Sequence, residues 1–191
     1  MSFLTSLDDV AQGTRRSFLS RSGLLLSGAA VALLAGEDAL AAKAGKPTDD
    51  DVRILNTALG AELEAVAAYQ LGADSGLLQQ PVRDLALTFQ GHHKEHADVL
   101  AKAIARLGGK AVAAKEKYTF PTESLKSQAD VLRFAATLEK GAVSAYLGAV
   151  PLFGNRELAK AAASILGDEA MHWAVLRNAL GEVPVPSAFV A

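Results

Sequence analysis

The sequence predicts an all-α fold: a four-helix bundle built from two duplicated helical hairpins joined by a long crossover. Three observations point there. The segment Glu62-Leu63-Glu64-Ala65-Val66-Ala67-Ala68-Tyr69 recurs as Glu139-Lys140-Gly141-Ala142-Val143-Ser144-Ala145-Tyr146, with Glu, Ala, Val, Ala and Tyr in register. All four histidines fall in a second matched pair, Gly91-His92-His93-Lys94-Glu95-His96 and Gly167-Asp168-Glu169-Ala170-Met171-His172, aligned on the Gly and the last His. Glu62 stands 34 residues before His96 and Glu139 stands 33 before His172, so the chain is a repeat of one unit. Between the motifs, apolar residues recur at alternating steps of three and four, the period of a helix with one buried face.

The first helix is predicted from Thr48, an N-cap followed by Asp49, Asp50 and Asp51, to about Gly72; acidic side chains suit the positive end of a helix dipole. Its inward stripe reads Val52, Leu55, Leu59, Glu62, Val66, Tyr69, so a glutamate interrupts it. Pro81 suits the first turn of the second helix and Gly108-Gly109 its end. That stripe, Val82, Ala86, Phe89, His93, His96, Leu100, Ala103, Leu107, is interrupted by two histidines. Residues 110–124 have no sustained helical period and are long for a helix connection, enough to cross from one end of a bundle to the other. The third helix, 127–150, stops before Pro151 and faces inward with Leu132, Ala135, Glu139, Ala142, Tyr146 and Ala149. The fourth, 155–180, presents Leu158, Ala162, Ile165, Glu169, His172, Leu176 and Ala179, with Gly181 as its C-terminal stop. Pro184 and Pro186 keep the tail extended.

A chain of 191 residues that is 50% hydrophobic can bury one core, so one domain is expected over residues 48–182, flanked by a linker at 42–47 and a tail at 183–191. A formal charge of -2 without a long basic run gives no sign of nucleic acid or an anionic membrane surface as partner, and the absence of cysteine excludes disulfides, thiolate metal sites and thiol catalysis. Residues 1–41 read as an export signal. Thr14-Arg15-Arg16-Ser17-Phe18-Leu19 resembles the twin-arginine motif, a weakly apolar run spans 23–36, and Ala39-Leu40-Ala41 offers a small-x-small cleavage site. The competing reading is a retained anchor, but 14 residues fall short of the roughly 20 that span a bilayer. The expectation is a periplasmic protein cleaved after Ala41, with the twin-arginine export machinery as partner and no stable membrane insertion of the mature domain. Substrates of that route often fold around a cofactor before export, which favours metal loading in the cytoplasm.

Glu62, His93, His96, Glu139, Glu169 and His172 all occupy core-facing positions, and the repeat places them near one level of the bundle. Unpartnered, such burial would be costly: about 1 to 3 kcal/mol for a polar group and far more for an isolated charge. A pair of divalent cations would bind the very groups that repel one another. Residues three apart share a helix face, so His93/His96 and Glu169/His172 can each present two donors inward, while Glu62 and Glu139 could bridge two ions. Behind these ligands, Tyr69 and Tyr146 read either as core aromatics or as hydroxyls bonded to the ligands, and His92 as a further partner of the site or a boundary histidine. Glu64 and Glu95 point away on the helical wheel, towards solvent; Met171 and Trp173 are assigned to packing.

On these residues the chain resembles the ferritin-like di-iron carboxylate superfamily, in particular its single-domain, non-cage members, over residues 48–180. The family pattern is a Glu on one helix and Glu-x-x-His on the next, twice over. Glu62, Glu139 and Glu169/His172 match it; the first half departs from it with His93 where Glu is expected. The resemblance implies two metal ions, iron first and manganese second, and oxygen or peroxide as substrate. It leaves three readings open: a di-iron oxidase, ferroxidase or peroxide scavenger; a non-catalytic stress or metal-sequestration protein; and a metal-free bundle whose Glu and His groups pair. A homodimer is compatible with each.

Overall fold

A computed structural model describes residues 47–190, with side chains from Asp49 onward. The export readings, including Arg15, Arg16 and cleavage after Ala41, lie outside the described residues; the first helix already begins at Pro47, whose fixed φ suits a first turn, so Thr48 lies inside that turn and is not the N-cap expected of it. Four helices form the described chain, with no strand: α1 Pro47–Asp74, α2 Gln80–Arg106, α3 Gln128–Ala149 and α4 Arg156–Ala179, with 3-10 turns at Thr122–Ser124 and Val150–Leu152. Local chemistry sets most of these ends. Ser127 caps α3 by accepting from the Asp130 N–H, and Asn155 caps α4 by accepting from the Glu157 and Leu158 N–H groups. Helices α2 and α4 close on Gly108 (φ 76°) and Gly181 (φ 74°), left-handed positions that glycine adopts without strain. The next residues, Gly109 and Glu182, donate back to Ile104 O and Arg177 O at 3.0 and 2.9 Å, satisfying carbonyls of the last turn.

Helices α1 and α2 pack as one hairpin and α3 and α4 as another. Across the hairpins α1 runs antiparallel to α3, because Glu62 meets Tyr146 while Tyr69 meets Glu139. The same holds for α2 and α4, where His92 meets His172 and His96 meets Asp168. The crossover leaves α2 along the outside and is pinned to α1 by Asn56, which donates to Lys110 O at 3.1 Å and accepts from Val112 N at 2.8 Å. Tyr118 stacks on Phe120, which meets Phe134 edge-on.

The apolar core is divided in two. Leu55, Leu59, Leu100, Ile104 and Ile165 belong to one cluster, and Phe89, Leu132, Ala136 and Leu176 to the other. Between them lies the layer of Glu and His side chains. On α3 the fully buried stripe is Leu132, Ala136, Glu139, Val143, Tyr146, so Ala136 and Val143 take the innermost positions expected for Ala135 and Ala142, which are half-buried. The larger Val143 fills the centre that an alanine would leave open. Ala179 is exposed because the helix ends there, and Met171, expected to pack, is 60% exposed. No helix among the described residues is long and apolar enough to cross a membrane.

Of the three acids opening α1, only Asp51 is buried. Its carboxylate accepts from Gly154 N at 2.8 Å and Asn155 N at 3.2 Å, tying the start of α1 to the loop entering α4. Asp51→Ala leaves those donors without partners and should destabilise the bundle by about 1 to 3 kcal/mol. Urea unfolding followed by circular dichroism measures this, with Asp49→Ala as the exposed control; equal midpoints for both would refute the role given to Asp51.

Candidate metal centre

Each helix sends its share of polar side chains to one level: Glu62 from α1, His93 and His96 from α2, Glu139 from α3, Glu169 and His172 from α4. Five of the six are buried and His96 is nearly so. All the residues read from the sequence as ligands therefore come together. They form two groups whose donor atoms could each hold a metal ion, Glu62/His93/His96/Glu169 and His93/Glu139/Glu169/His172.

The spacing within each group is close. In the first, Glu62 Oε2 lies 2.8 Å from His93 Nδ1 and 3.6 Å from His96 Nδ1, which is 3.1 Å from Glu169 Oε1. In the second, Glu139 Oε1 lies 3.3 Å from His93 Nε2 and 3.5 Å from His172 Nδ1, itself 3.3 Å from Glu169 Oε2. Donors about 2.1 Å from a shared ion stand roughly 3.0 to 3.4 Å apart, so these separations suit coordination. Hydrogen bonding does not exhaust the donors. Both Glu169 oxygens, His96 Nδ1 and His172 Nδ1 are buried without any hydrogen-bond partner among the described residues. Such orphaned groups cost about 1 to 3 kcal/mol each, and they converge on the two groups named above. The donor set therefore fits divalent metal.

The arrangement differs from the sequence expectation in which residue spans the two groups. Glu62 and Glu139 were expected to bridge, but each contributes to one group only. Tyr146 donates to Glu62 Oε1 at 2.6 Å, leaving Oε2 for the first group, whereas Tyr69 donates to Glu139 Oε1, the same oxygen that faces His93 and His172. Burial pushes both phenols well above their ordinary pKa, and the neighbouring carboxylates add to it, so the hydroxyls stay protonated as donors. Glu169 spans instead, with Oε1 towards the first group and Oε2 towards the second. His93 likewise turns one nitrogen to each group.

The sequence reading missed Asp168 as a site residue. Its Oδ2 lies 3.3 Å from each of His92 Nδ1, His96 Nε2 and His172 Nε2. A carboxylate behind the outer nitrogen of an imidazole orients the ring and holds the inner nitrogen towards a metal. The signal was present: Asp168 occupies the same register as His92 in the repeat. His92 itself is partly exposed at the rim, 2.8 Å from His172 Nε2. Glu95 is exposed as expected, whereas Glu64 is half-buried.

A four-helix bundle carrying carboxylates and imidazoles that could hold metal at its midpoint is the class this fold and site define. Residues 50–182 match the family described as Ferritin-like domain, and the chain belongs to that family. Among solved structures it is similar to a conserved hypothetical protein from Mycobacterium tuberculosis, at 23% identity and TM-score 0.65, covering 75% of this chain and 99% of that one. It is also similar to a protein from Bacillus anthracis described as a ferritin-like diiron-carboxylate protein, at 20% identity and TM-score 0.62, covering 71% and 99%. No match is found among curated proteins.

Without metal the cluster is a charge lattice. Burial opposes a charge on His93, but hydrogen bonds to Glu139 and Glu62 outweigh it and push its pKa up to about 11. His96 and His172 rise to about 9, against burial, because carboxylates stand close by, Glu169 and Glu62 at the first and Glu139 and Glu169 at the second. Burial would raise the Glu139 carboxyl, but His172 and His93 hold it well below its ordinary 4.5. Groups raised on folding stabilise below their unfolded value and lose that contribution as pH climbs towards the folded value; a depressed carboxyl does the reverse. Chelator-treated protein should therefore melt highest between about pH 4.5 and 6.5, the ordinary values of these groups, and lose stability as pH rises towards 9. Melting curves across pH 4 to 10 test this; a midpoint that climbs from pH 6.5 to 9 would contradict it.

Proposed function

We propose that the chain is an exported, periplasmic protein whose six-residue cluster holds two divalent cations, iron first and manganese second, and reacts there with oxygen or peroxide. The observation that carries the metal reading is Glu169, whose two oxygens are buried without a hydrogen-bond partner and face one group each. In a metal-free bundle those oxygens would have only His96 Nδ1 at 3.1 Å and His172 Nδ1 at 3.3 Å, neither in hydrogen-bonding geometry, so Glu–His pairing satisfies them poorly. The description of the Bacillus neighbour as a diiron-carboxylate protein supports the same metal. Twin arginines ahead of a short apolar run support export of a protein folded around its ions.

Iron held by Glu62, His93, His96, Glu139, Glu169 and His172 would supply the electrons that reduce oxygen or peroxide. The chain's own contribution is positional. Glu169 offers one oxygen to each group, Glu62 and Glu139 stand at opposite ends, and the Tyr69 and Tyr146 hydroxyls keep both carboxylates from turning. His93 makes the two halves unequal. A neutral imidazole has one lone pair, so His93 can ligate in one group only, and its remaining N–H donates to the carboxylate of the other. The second reading, a non-catalytic metal-sequestration or stress protein, is favoured by this same residue, which lowers the carboxylate count and with it the preference for ferric ions.

Elemental analysis separates metal binding from pairing. Protein reconstituted with Fe(II) under argon should hold two ions per chain, Glu169→Ala should lose at least one, and Glu95→Ala should lose none. A full complement in Glu169→Ala would overturn the assignment. Subsequent oxygen exposure, followed by Mössbauer spectroscopy, should convert bound ferrous iron to ferric; iron that stays ferrous over hours favours sequestration.

A further inference from the structure

The inner groups use one nitrogen of His172 and one of His96, both Nδ1. Their other nitrogens point outward, where Asp168 Oδ2 lies 3.3 Å from each. His92 completes this outer set: its Nδ1 is 2.8 Å from His172 Nε2 and 3.3 Å from Asp168 Oδ2. Exposure of the side chains falls inward, from 41% at His92 and 24% at Asp168 to 15% at His96 and 2% at His172. Donors thus run continuously from solvent to the buried carboxylates, along the seam between α2 and α4.

We propose that His92 Nδ1, Asp168 Oδ2 and His172 Nε2, with His96 Nε2 beside them, form an outer docking site for one divalent transition-metal cation, from which the ion passes to the inner cluster. Zinc-type ions bound at about 2.0 to 2.1 Å in tetrahedral sites hold their ligands about 3.3 Å apart; two sides of this triangle are 3.3 Å, and the third, His92 Nδ1 to His172 Nε2 at 2.8 Å, is a hydrogen bond that a bound ion would replace by opening it a few tenths of an ångström. Two imidazoles and one carboxylate suit zinc, cobalt, iron or manganese, with solvent free to take the remaining position on the exposed side. Each imidazole has one lone pair, so the outer site and the second inner group compete for His172. An ion held outside becomes bound inside when the ring's free pair moves from Nε2 to Nδ1, a tautomer exchange with no net change in charge. The outer site is therefore a station, filled fully only when the inner carboxylates are disabled.

Cobalt(II) alone is the probe, because tetrahedral cobalt shows strong visible bands. The double variant Glu62→Gln/Glu139→Gln, folded by circular dichroism, should still bind one Co(II) with tetrahedral bands, and adding His92→Ala should abolish it. A double variant that binds none, or one indifferent to His92→Ala, overturns the proposal. Should that variant not fold, the parent chain still decides. His92→Ala, a rim substitution, should slow Co(II) uptake about tenfold, in line with the effect of outer partners on metal sites, and leave final stoichiometry unchanged. Glu95→Ala on the same helix should leave uptake unaltered, and equal uptake rates for all three chains overturn the proposal. Failure of the inner cluster reads differently: the parent would bind a single ion, lost on His92→Ala.

Discussion

The constraint on which the structure depends is the burial of three carboxylates and three imidazoles in one layer of a small bundle. Glu139 and Glu169 have essentially no contact with solvent, a burial that is costly for a carboxylate unless compensating positive charge is at hand. The chain can supply part of it, as three protonated histidines against three carboxylates. That balance in charge is not a balance in hydrogen bonding. Glu169 keeps two unsatisfied oxygens while His93 bonds to both Glu62 and Glu139, so the lattice closes around the edges and stays open at its centre.

Much of the surrounding architecture follows from holding that layer in place. Each hairpin stabilises the glutamate of the other, Tyr146 on Glu62 and Tyr69 on Glu139, which couples the duplicated halves reciprocally. Antiparallel packing of α1 on α3 is what makes the exchange reciprocal. The layer also splits the apolar core into two clusters, one around Leu55 and Ile104 and the other around Phe89 and Leu132, where the Phe89 ring stacks on His172 at 4.0 Å between centroids. Stability and site geometry are therefore parts of one arrangement: a displaced tyrosine would free a carboxylate and leave a buried acceptor unpaired.

Helix count, order and approximate ends were legible because the apolar period, prolines and glycines are local signals that agree with one another. The six cluster residues were legible because Glu or His in an otherwise apolar stripe is costly without a purpose, and the duplication doubled that signal. What was hidden depends on contacts between helices. Which carboxylate spans the two groups depends on how the four helices meet, and Glu169 takes the position expected for Glu62 and Glu139. Asp168 meets three imidazoles only once α2 and α4 cross. Asp51 is indistinguishable in sequence from Asp49 and Asp50, because the loop that buries it lies a hundred residues away. On α3, a stripe rich in alanine left the rotation of the helix underdetermined by one position.

The central claim is that the open centre of this layer is a metal site organised about Glu169. Anomalous diffraction from crystals grown with Mn(II), recorded on either side of the manganese edge, tests it most directly. Two peaks flanking the Glu169 carboxylate are predicted, one against Glu62 and His96 and the other against Glu139 and His172. An anomalous map without a peak in this layer, with Glu169 hydrogen-bonded to a histidine in the same crystals, would contradict it.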